Sequence, residues 1–535
     1  MTSILTASIP LNDTASASRA NLRNWIAVLG ALLGAFMAVL DIQISNSSLQ
    51  NITGGIGATL DEGSWVSLAY LVPEIIVIPL CGWLAQVFGM RRYLIWNSLF
   101  FLIFSMCCGF AWDLPSMIVF RALQGFTGGA LIPMASTLIL LKLPANKQAV
   151  GFALFGLSAM FAPAIGPTIG GWITENYSWP WIFYINLVPG IILISAIAYG
   201  LDASPMRLPM LKKGDWTGIL FMALGLGSLT VFLVFLEEGT RKDWFGSVYI
   251  TRLAIVTAIA LPVFVIIELM RKKITPIVNL RLFARRNFLL GSMVNLVLGL
   301  CLYGFMYLLP VYLVQIQGYN AMQIGSTMMW VGLPQLVVMP FMPVLMKWID
   351  KRAVVAFGLG MFGLSAMMMS GMTAETAHDQ LVLPQIIRAI GLTCTIVPLS
   401  LITTGGMETQ NAASASGLFN MLRNLGGSMG IALLSALLTQ REHFHSHHLG
   451  EAISLYNPLT RDRLATIAQN LISQGIDAVG AQDRAIQLLD ATVRKQAFIL
   501  AYNNCFEVAG LLLFAMIPLI FLCSKTSGSS AAGAH

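Results

Sequence analysis

The chain has 535 residues, of which 57% are hydrophobic and only 10% are charged. A soluble globular protein typically carries about 25% charged residues, so this composition excludes a water-soluble fold. A membrane-spanning helix needs about 20 mostly apolar residues, and the apolar content suffices for roughly a dozen such helices. The sequence therefore predicts an all-α polytopic membrane protein in a lipid bilayer, and it excludes collagen-like, disordered and disulfide-scaffold classes.

The formal net charge of +7 lies in short basic clusters between apolar runs. That distribution is typical of cytoplasmic loops and not of a nucleic-acid-binding face. The seven cysteines all lie within apolar runs, and their spacing matches no metal or redox motif. Thiols in such surroundings behave as small hydrophobic groups. We therefore expect no nucleic-acid partner, no metal and no cofactor.

Apolar runs between charged and turn residues indicate fourteen membrane spans. The polar stretch before the first run predicts a cytoplasmic tail and an uncleaved first span. The predicted spans are 25–45, 65–85, 94–112, 117–141, 148–172, 181–201, 215–236, 250–269, 287–313, 323–346, 353–372, 383–404, 415–438 and 497–522.

The lysines and arginines orient these spans. With the N-terminus inside, the cytoplasmic segments hold 19 of the 31 basic residues, three lie within spans and nine lie outside. Six of those nine lie in one long external loop, and long loops cross the membrane largely regardless of charge. The comparison of short segments, 19 against three, predicts that both termini are cytoplasmic.

An internal repeat divides the chain into two halves. Residues 71–80 and 332–341 each contain two prolines six positions apart, and each copy is followed two spans later by an arginine within a span, Arg121 or Arg388. Repeated halves with a site at their interface are typical of secondary transporters. The predicted division is a cytoplasmic tail at 1–24, an N-terminal six-helix bundle at 25–201, a linker with two inserted membrane helices at 202–286, a C-terminal six-helix bundle at 287–523 that includes a long periplasmic loop at 439–496, and a cytoplasmic tail at 524–535.

Three carboxylates, Asp41, Glu74 and Glu507, lie well inside predicted spans. A desolvated carboxyl group can bind and release a proton near neutral pH, so these residues are the candidates for proton coupling. Glu74 can carry protons, contact substrate, or do both. Asp41 can instead form a structural ion pair with an arginine. Arg121, Arg388 and Arg423 supply interior positive charge, and an arginine inside a span should face the bundle interior with a partner.

Three sequence motifs carry glycines at close spacing. GWLAQVFGMRR predicts a tight basic turn, and RALQGFTGGALIP and APAIGPTIGG predict close helix packing and a bent helix. The residues singled out in them are Gly82, Gly89, Arg91, Arg92, Arg121, Gly125, Gly166, Pro167, Gly170 and Gly171.

With these motifs the chain resembles the fourteen-helix drug:proton antiporter family of the major facilitator superfamily (EmrB/QacA type). The resemblance implies two six-helix bundles, a role for Arg121 in proton transfer, and export as the direction associated with the string at 162–171. It also implies a first-span Asp motif at Asp41 and an acidic residue near Glu507. Where the family has Asp-Arg in the basic turn, this chain has Gln86 and Val87, so either another cytoplasmic latch or a looser one is expected.

The external loop at 439–496 contains a histidine cluster and two amphipathic segments, near 458–473 and 482–496. His443 and His447 can share a helix face, but no third ligand accompanies them, so no metal site is predicted. The loop can dock a periplasmic adaptor, as the resemblance suggests, or cap the outward opening.

The sequence therefore favours a proton-coupled antiporter that exports hydrophobic drugs or weak organic acids across the bacterial inner membrane. The resemblance suggests that it is the inner-membrane part of a tripartite system with an adaptor protein and an outer-membrane channel. The alternatives are a proton-coupled symporter and, less favoured, an integral-membrane enzyme. No Gly-Lys dipeptide occurs, so a phosphate-binding loop of the GxxxxGK[ST] type is absent. The residues expected to line a permissive substrate pocket are Tyr70, Tyr303, Tyr307 and Trp330.

Overall fold

The computed structural model describes residues 11–58, 63–212, 214–237, 247–270, 279–319, 321–405, 407, 409–451, 453 and 456–524. Within these ranges the regular structure is helical throughout, which confirms the predicted all-α class. The helices of the first part are α1 (Leu11–Ser47), α2 (Leu49–Gly55), α3 (Gly63–Phe88), α4 (Met90–Gly109), α5 (Leu114–Gly128), α6 (Leu131–Lys142), α7 (Ala145–Asn176), α8 (Trp181–Tyr184), α9 (Leu187–Gly200), α10 (Pro209–Lys212) and α11 (Trp216–Glu237). Those of the second part are α12 (Val248–Met270), α13 (Arg286–Gln315), α14 (Ala321–Val338), α15 (Met342–Trp348), α16 (Lys351–Met369), α17 (His378–Thr404), α18 (Thr409–Glu451), α19 (Pro458–Ser473) and α20 (Ala478–Phe521), with short 3-10 turns at Leu280–Ala284 and Met339–Phe341.

Thirteen candidate membrane spans are present in the described part of the chain, long and apolar enough to cross a bilayer. Each overlaps one of the predicted spans. The predicted fifth span, 148–172, lies within α7, a helix of 32 residues that is not counted among the thirteen. The predicted fourth span is divided between α5 and α6, and the tenth between α14 and α15 with a 3-10 turn around Pro340.

Two hydrophobic cores follow the two halves of the chain. One is built mainly from α1 and α3–α9, and the other from α13, α14, α16–α18 and α20. Helix α11 pairs with α12 and also packs against α3 of the first half and α18 of the second. Most of α12 is exposed, since only 17% of the most apolar stretch of this helix is buried inside the protein. The inserted pair therefore lies at the outside of the bundle.

Contacts between the halves are concentrated on a few helices. Helix α18 packs against α3 and α6, and α7 packs against α14, α15 and α17. Glycines permit the close approaches within each half: a Cβ on Gly125 would meet the backbone carbonyl of Tyr70, and one on Gly426 would meet that of Leu296. Such small-residue contacts replace hydrophobic burial as a source of helix association in a membrane.

Helices α18 and α20 continue far beyond the length of a span. They have 43 and 44 residues, where about 20 suffice to cross the hydrocarbon core. Their extensions and α19, which packs on α20, occupy the region expected to be a long loop, so most of that region is helical. Helix α19 covers the predicted amphipathic segment 458–473, and the second segment continues directly into the last span.

Candidate functional site

Asp41 lies at the centre of a buried hydrogen-bond network in the first half. Its Oδ2 accepts a hydrogen bond from Arg121 Nη1 at 2.8 Å, and its Oδ1 accepts one from Gln124 Nε2 at 3.0 Å and one from Asn186 Nδ2 at 2.7 Å. The side chains of Asp41 and Arg121 are each 1% exposed. The alternative of an ion pair with an arginine is thus what the structure contains, and both charges have a partner.

The rest of the Arg121 side chain is also enclosed. Its Nε donates to the Val66 carbonyl at 3.4 Å, and its guanidinium lies 4.5 Å from the centre of the Tyr70 ring and 5.7 Å from that of Phe183. The aromatic faces attract the buried cation. Tyr70, expected in the substrate pocket, is instead fully buried against this arginine.

Glu74 is the second buried carboxylate, only 3% exposed, and it lies one helical turn after Tyr70 on α3. Its Oε1 accepts a hydrogen bond of 3.5 Å from Asn424 Nδ2, which belongs to α18 in the other half. Within the described residues, no lysine or arginine forms an ion pair with it. This carboxyl therefore differs from Asp41 in two respects: it has no ion-pair partner in the described part of the chain, and it faces the interface between the halves.

Arg423 lies next to Asn424 in the chain, but its side chain has a different partner. Its Nε donates to Asn295 Oδ1 at 3.1 Å, and Asn295 in turn donates to the Phe419 carbonyl at 2.7 Å. A Cβ on Gly427, one turn further along α18, would meet the Tyr303 ring. Asn295 of α13 is thus the polar partner of this cation close to the Glu74 interface, whereas its Nη2 has no partner among the described residues.

Arg388, the repeat counterpart of Arg121, has a different environment. It is 1% exposed, and its Nε and Nη1 atoms have no hydrogen-bond partner among the described residues. Its guanidinium lies 5.7 Å from the centre of the Phe305 ring. The repeat therefore conserves the arginine but not its carboxylate.

The remaining predicted residues do not join these networks. Glu507 is exposed on α20. Tyr303, Tyr307 and Trp330 are half-buried, and the Tyr307 hydroxyl lies 3.4 Å from Ser435 Oγ.

The basic turn between α3 and α4 is attached to the linker that follows α9. Gly89 has a φ of +81°, and a Cβ there would meet the Ser204 backbone. Arg91 donates to the Ala198 carbonyl at 2.7 Å, whereas Arg92 is exposed and Gly82 is buried within α3. Only a residue without a side chain suits this left-handed conformation in so confined a place.

Two of the glycines of α7, Gly166 and Gly170, face α1. A Cβ on Gly166 would lie 2.6 Å from Gln43 Cβ, and one on Gly170 would lie 2.6 Å from Ser47 Oγ, whereas one on Gly171 would meet nothing within 4 Å. Pro167 belongs to the same helix, but its side chain lies outside the described residues.

Sequence reasoning missed several polar contacts. Asn186, which binds Asp41, lies in an apolar stretch, and an amide in such a place could have been recognised as a partner for interior charge. Ser136 of α6 contacts Ser416 of α18, and Asn420 donates to Ser136 at 3.2 Å. These contacts connect the two halves between the middle of α6 and the early turns of α18.

The histidine cluster lies on the extension of α18. His447 and His448 pair with Glu451 at 3.3 Å and 3.0 Å, and His445 contacts Asn504 at 2.8 Å. The described residues contain no group of three or more His, Cys, Asp or Glu side chains that could hold a metal ion.

Comparison with known proteins identifies the family. A family model described as Major Facilitator Superfamily matches residues 31–431. The colistin resistance protein EmrB of Acinetobacter baumannii is 32% identical over 92% of this chain and 94% of its own length. The multidrug export protein EmrB of Escherichia coli K12 is 30% identical over 95% and 98%, and the fatty acid resistance protein FarB of Neisseria gonorrhoeae is 32% identical over 96% and 98%.

A solved structure shows the same fold. The human organic anion transporter MFSD10 superposes with a TM-score of 0.58 at 13% identity, covering 92% of this chain and 99% of that protein. The family matches confirm the resemblance seen in the motifs and exclude the alternative of a membrane enzyme. The chain is a member of the Major Facilitator Superfamily, a multi-pass transporter of the bacterial inner membrane.

Proposed function

We propose that the chain exports hydrophobic drugs and weak organic acids in exchange for protons, by alternating access between its two halves. The observation that carries the proposal is Glu74, a buried carboxyl without a described counter-cation that contacts Asn424 across the interface between the halves. The names of the relatives, which include multidrug export and fatty acid resistance proteins, support this substrate range.

Glu74 couples proton binding to the opening and closing of the interface between the halves, because the ionised carboxylate is unfavourable in this buried position. A buried charge without a partner costs several kcal/mol, by order of magnitude. The ionised form therefore favours a conformation in which α3 and α18 separate and water reaches the carboxylate. Protonation removes that cost and favours the closed interface. A difference of this size is enough to shift a two-state equilibrium by more than a hundredfold.

Asp41 and Arg121 form the second part of the proton pathway. Tyr70 connects the two carboxyl groups, because its ring covers Arg121 and its backbone lies one turn before Glu74. Protonation of Asp41 would weaken its bond to Arg121 and free the network that holds α1, α5 and Asn186 together. Glu507 has no part in this scheme, because its exposed position lies outside the network.

The topology belongs to the same proposal. We count α7 with the thirteen candidate spans and so propose fourteen spans, with two six-helix bundles around the inserted pair. An even number keeps both termini on the same side of the membrane, and the basic residues of the short loops favour the cytoplasm as that side. Gly82, Gly89, Arg91 and Arg92 then form a cytoplasmic turn anchored on the linker. The glycine- and proline-containing segment 162–171 of α7 then allows one half to move against the other.

A partner on the far side of the membrane fits the extensions of α18 and α20. Together with α19 they expose large apolar side chains: Leu459 is 76% exposed and Val479 is 75% exposed. Exposed apolar groups on a rigid helical projection favour protein contact. We assign this surface to a periplasmic adaptor that would connect the transporter to an outer-membrane channel.

The substrate path lies beside the coupling residues. Tyr303 packs on Gly427 near Glu74, and Tyr307 and Trp330 are half-buried on α13 and α14. Aromatic side chains with a polar edge bind apolar molecules with little specificity, which suits a broad range of compounds.

The test uses inverted membrane vesicles with an acidic interior, a panel of hydrophobic cations and weak acids, and a pH-sensitive dye. We expect the native chain to dissipate the gradient when substrate is added, Glu74→Gln to abolish this response, and Glu507→Gln to preserve it. Glu507→Gln is the matched control because it removes the same charge from an exposed position. A full response from Glu74→Gln would contradict the assignment, and substrate accumulation that runs with the proton would establish symport.

A further inference from the structure

The second half contains a buried cation that its own side chains do not satisfy. Arg121 in the first half has a carboxylate, an amide and a backbone carbonyl as partners, whereas Nε and Nη1 of Arg388 have none in the described part of the chain. Both arginines are 1% exposed. Because an unpaired buried charge is strongly unfavourable, an arginine retained in this position points to a ligand of opposite charge.

Two neutral amide side chains lie on α17 itself and on α14, which packs against α17. Gln385 lies one turn earlier on α17, is fully buried, and has an Oε1 without a described partner, while its Nε2 lies 3.7 Å from Met328 Sδ on α14. Gln335 follows Met328 by seven residues, so it shares that face of α14. It is 1% exposed, and both atoms of its amide group are unpartnered among the described residues.

Apolar groups with adaptable shape adjoin this polar patch. The Phe305 ring covers the guanidinium and packs against Phe362 and Phe506, with ring centres 5.2 Å and 4.9 Å apart. Met328 adds a flexible thioether. A fixed cation with two amides beside an aromatic cluster is complementary to a molecule that has an oxyanion at one end and an apolar body at the other.

We propose that Arg388, with Gln385 and Gln335, binds the carboxylate of amphiphilic organic acids in the second half of the transporter. The inference rests on the proposed transport function and gives the site its preferred substrate class. A guanidinium group is the side chain best suited to a carboxylate, because its planar N–H donors match the two oxygens. Arg388 thus supplies the charge that distinguishes an acid from a neutral compound of the same shape.

The test measures binding to the purified full-length chain in nanodiscs at about pH 8 without a gradient. The probes are 1-naphthoate and its uncharged amide, 1-naphthamide, which have the same ring system. We expect the native chain to prefer the carboxylate and Arg388→Gln to weaken carboxylate binding by about tenfold to a hundredfold. Binding of the amide should stay within about twofold, and Arg388→Lys, which keeps the charge but not the planar pair of donors, should recover only part of the carboxylate affinity.

Three results would overturn the assignment. They are a native chain that binds both probes equally, an Arg388→Gln variant that binds both as the native chain does, and one that loses both to the same extent. Arg494→Gln is the matched control, because it removes an exposed arginine whose side chain is 63% exposed. If Arg388→Gln does not fold, Gln385→Leu tests the same site. It should weaken carboxylate binding and leave amide binding unchanged. Because no gradient is used, loss of proton exchange in vesicles with intact carboxylate binding would contradict only the proposed function.

Discussion

The Asp41–Arg121 pair permits a quantitative test of how burial changes the contribution of an ion pair to the free energy of unfolding. Asp41→Asn removes the carboxylate that accepts three hydrogen bonds and leaves the Arg121 guanidinium charged at 1% exposure. Removal of one partner from a buried pair typically costs about 3–5 kcal/mol of unfolding free energy. Arg121→Gln leaves the carboxylate unpaired in the same way and should cost a similar amount.

The double variant, Asp41→Asn with Arg121→Gln, distinguishes the energy of the ion pair itself from the energy of its contacts with the surrounding groups. With both charges removed, the remaining loss is that of hydrogen bonds between neutral groups, about 1–3 kcal/mol in total. We therefore expect the loss in the double variant to be at least about 3 kcal/mol smaller than the sum of the losses in the single variants. The measurement is denaturant unfolding in mixed micelles, followed by tryptophan fluorescence.

An exposed pair provides the matched control. Arg494 and Asp490 have the same N–O distance of 2.8 Å, but their side chains are 63% and 57% exposed. Exposed pairs couple by roughly 0.2–1 kcal/mol. If the coupling between Asp41 and Arg121 is no larger than that between Asp490 and Arg494, the argument that burial makes this network strong is refuted.

Three further predictions follow from local geometry. Gly125→Ala forces a Cβ against the backbone of α3 and should destabilise the chain by about 1–3 kcal/mol, whereas Gly171→Ala meets open space and should be nearly neutral in the same unfolding assay. Gly89→Ala places a side chain at a φ of +81° and should cost about 1–2 kcal/mol, seen as a lower thermal midpoint. Hydrogen bonds from Ser116 lower the pKa of Asp113, the N-cap of α5. That stabilisation is present above the unfolded-state pKa of about 4 and is lost as the pH falls through the folded-state pKa. Thermal unfolding of Asp113→Asn should therefore depend less on pH in this acidic range than that of the native chain, and an unchanged pH profile would contradict the capping role.

Much of the architecture was predictable because membrane helices obey simple rules. The lipid environment requires continuous apolar segments, so the spans appear directly in composition. The proline and arginine repeat predicted two halves, and the motif strings predicted the family that the comparisons confirm. Helical extensions such as those of α18 and α20 escape these rules, because polar helices outside the membrane carry no comparable hydropathy signal.

The side-chain partners were less predictable, because they depend on the distance between helices. Asn186 had no signal beyond its polarity, yet it binds Asp41 across 145 residues of sequence. Glu507 appeared equivalent to Glu74 as a carboxylate within a span, but the rotation of α20 turns it outward. A helix that is apolar on all sides gives no periodic signal for which face is buried.

The sequence by itself determined that this protein is a two-fold repeated membrane transporter with buried charges in its spans. Composition and repeats are properties of the chain, and solvation by lipid acts on each helix separately. Only the tertiary structure decided that Arg121 meets Asp41, 80 residues away, whereas Arg388 meets no carboxylate in the described residues. Charge pairing depends on packing at distances of about 3 Å, which the order of residues along the chain does not specify.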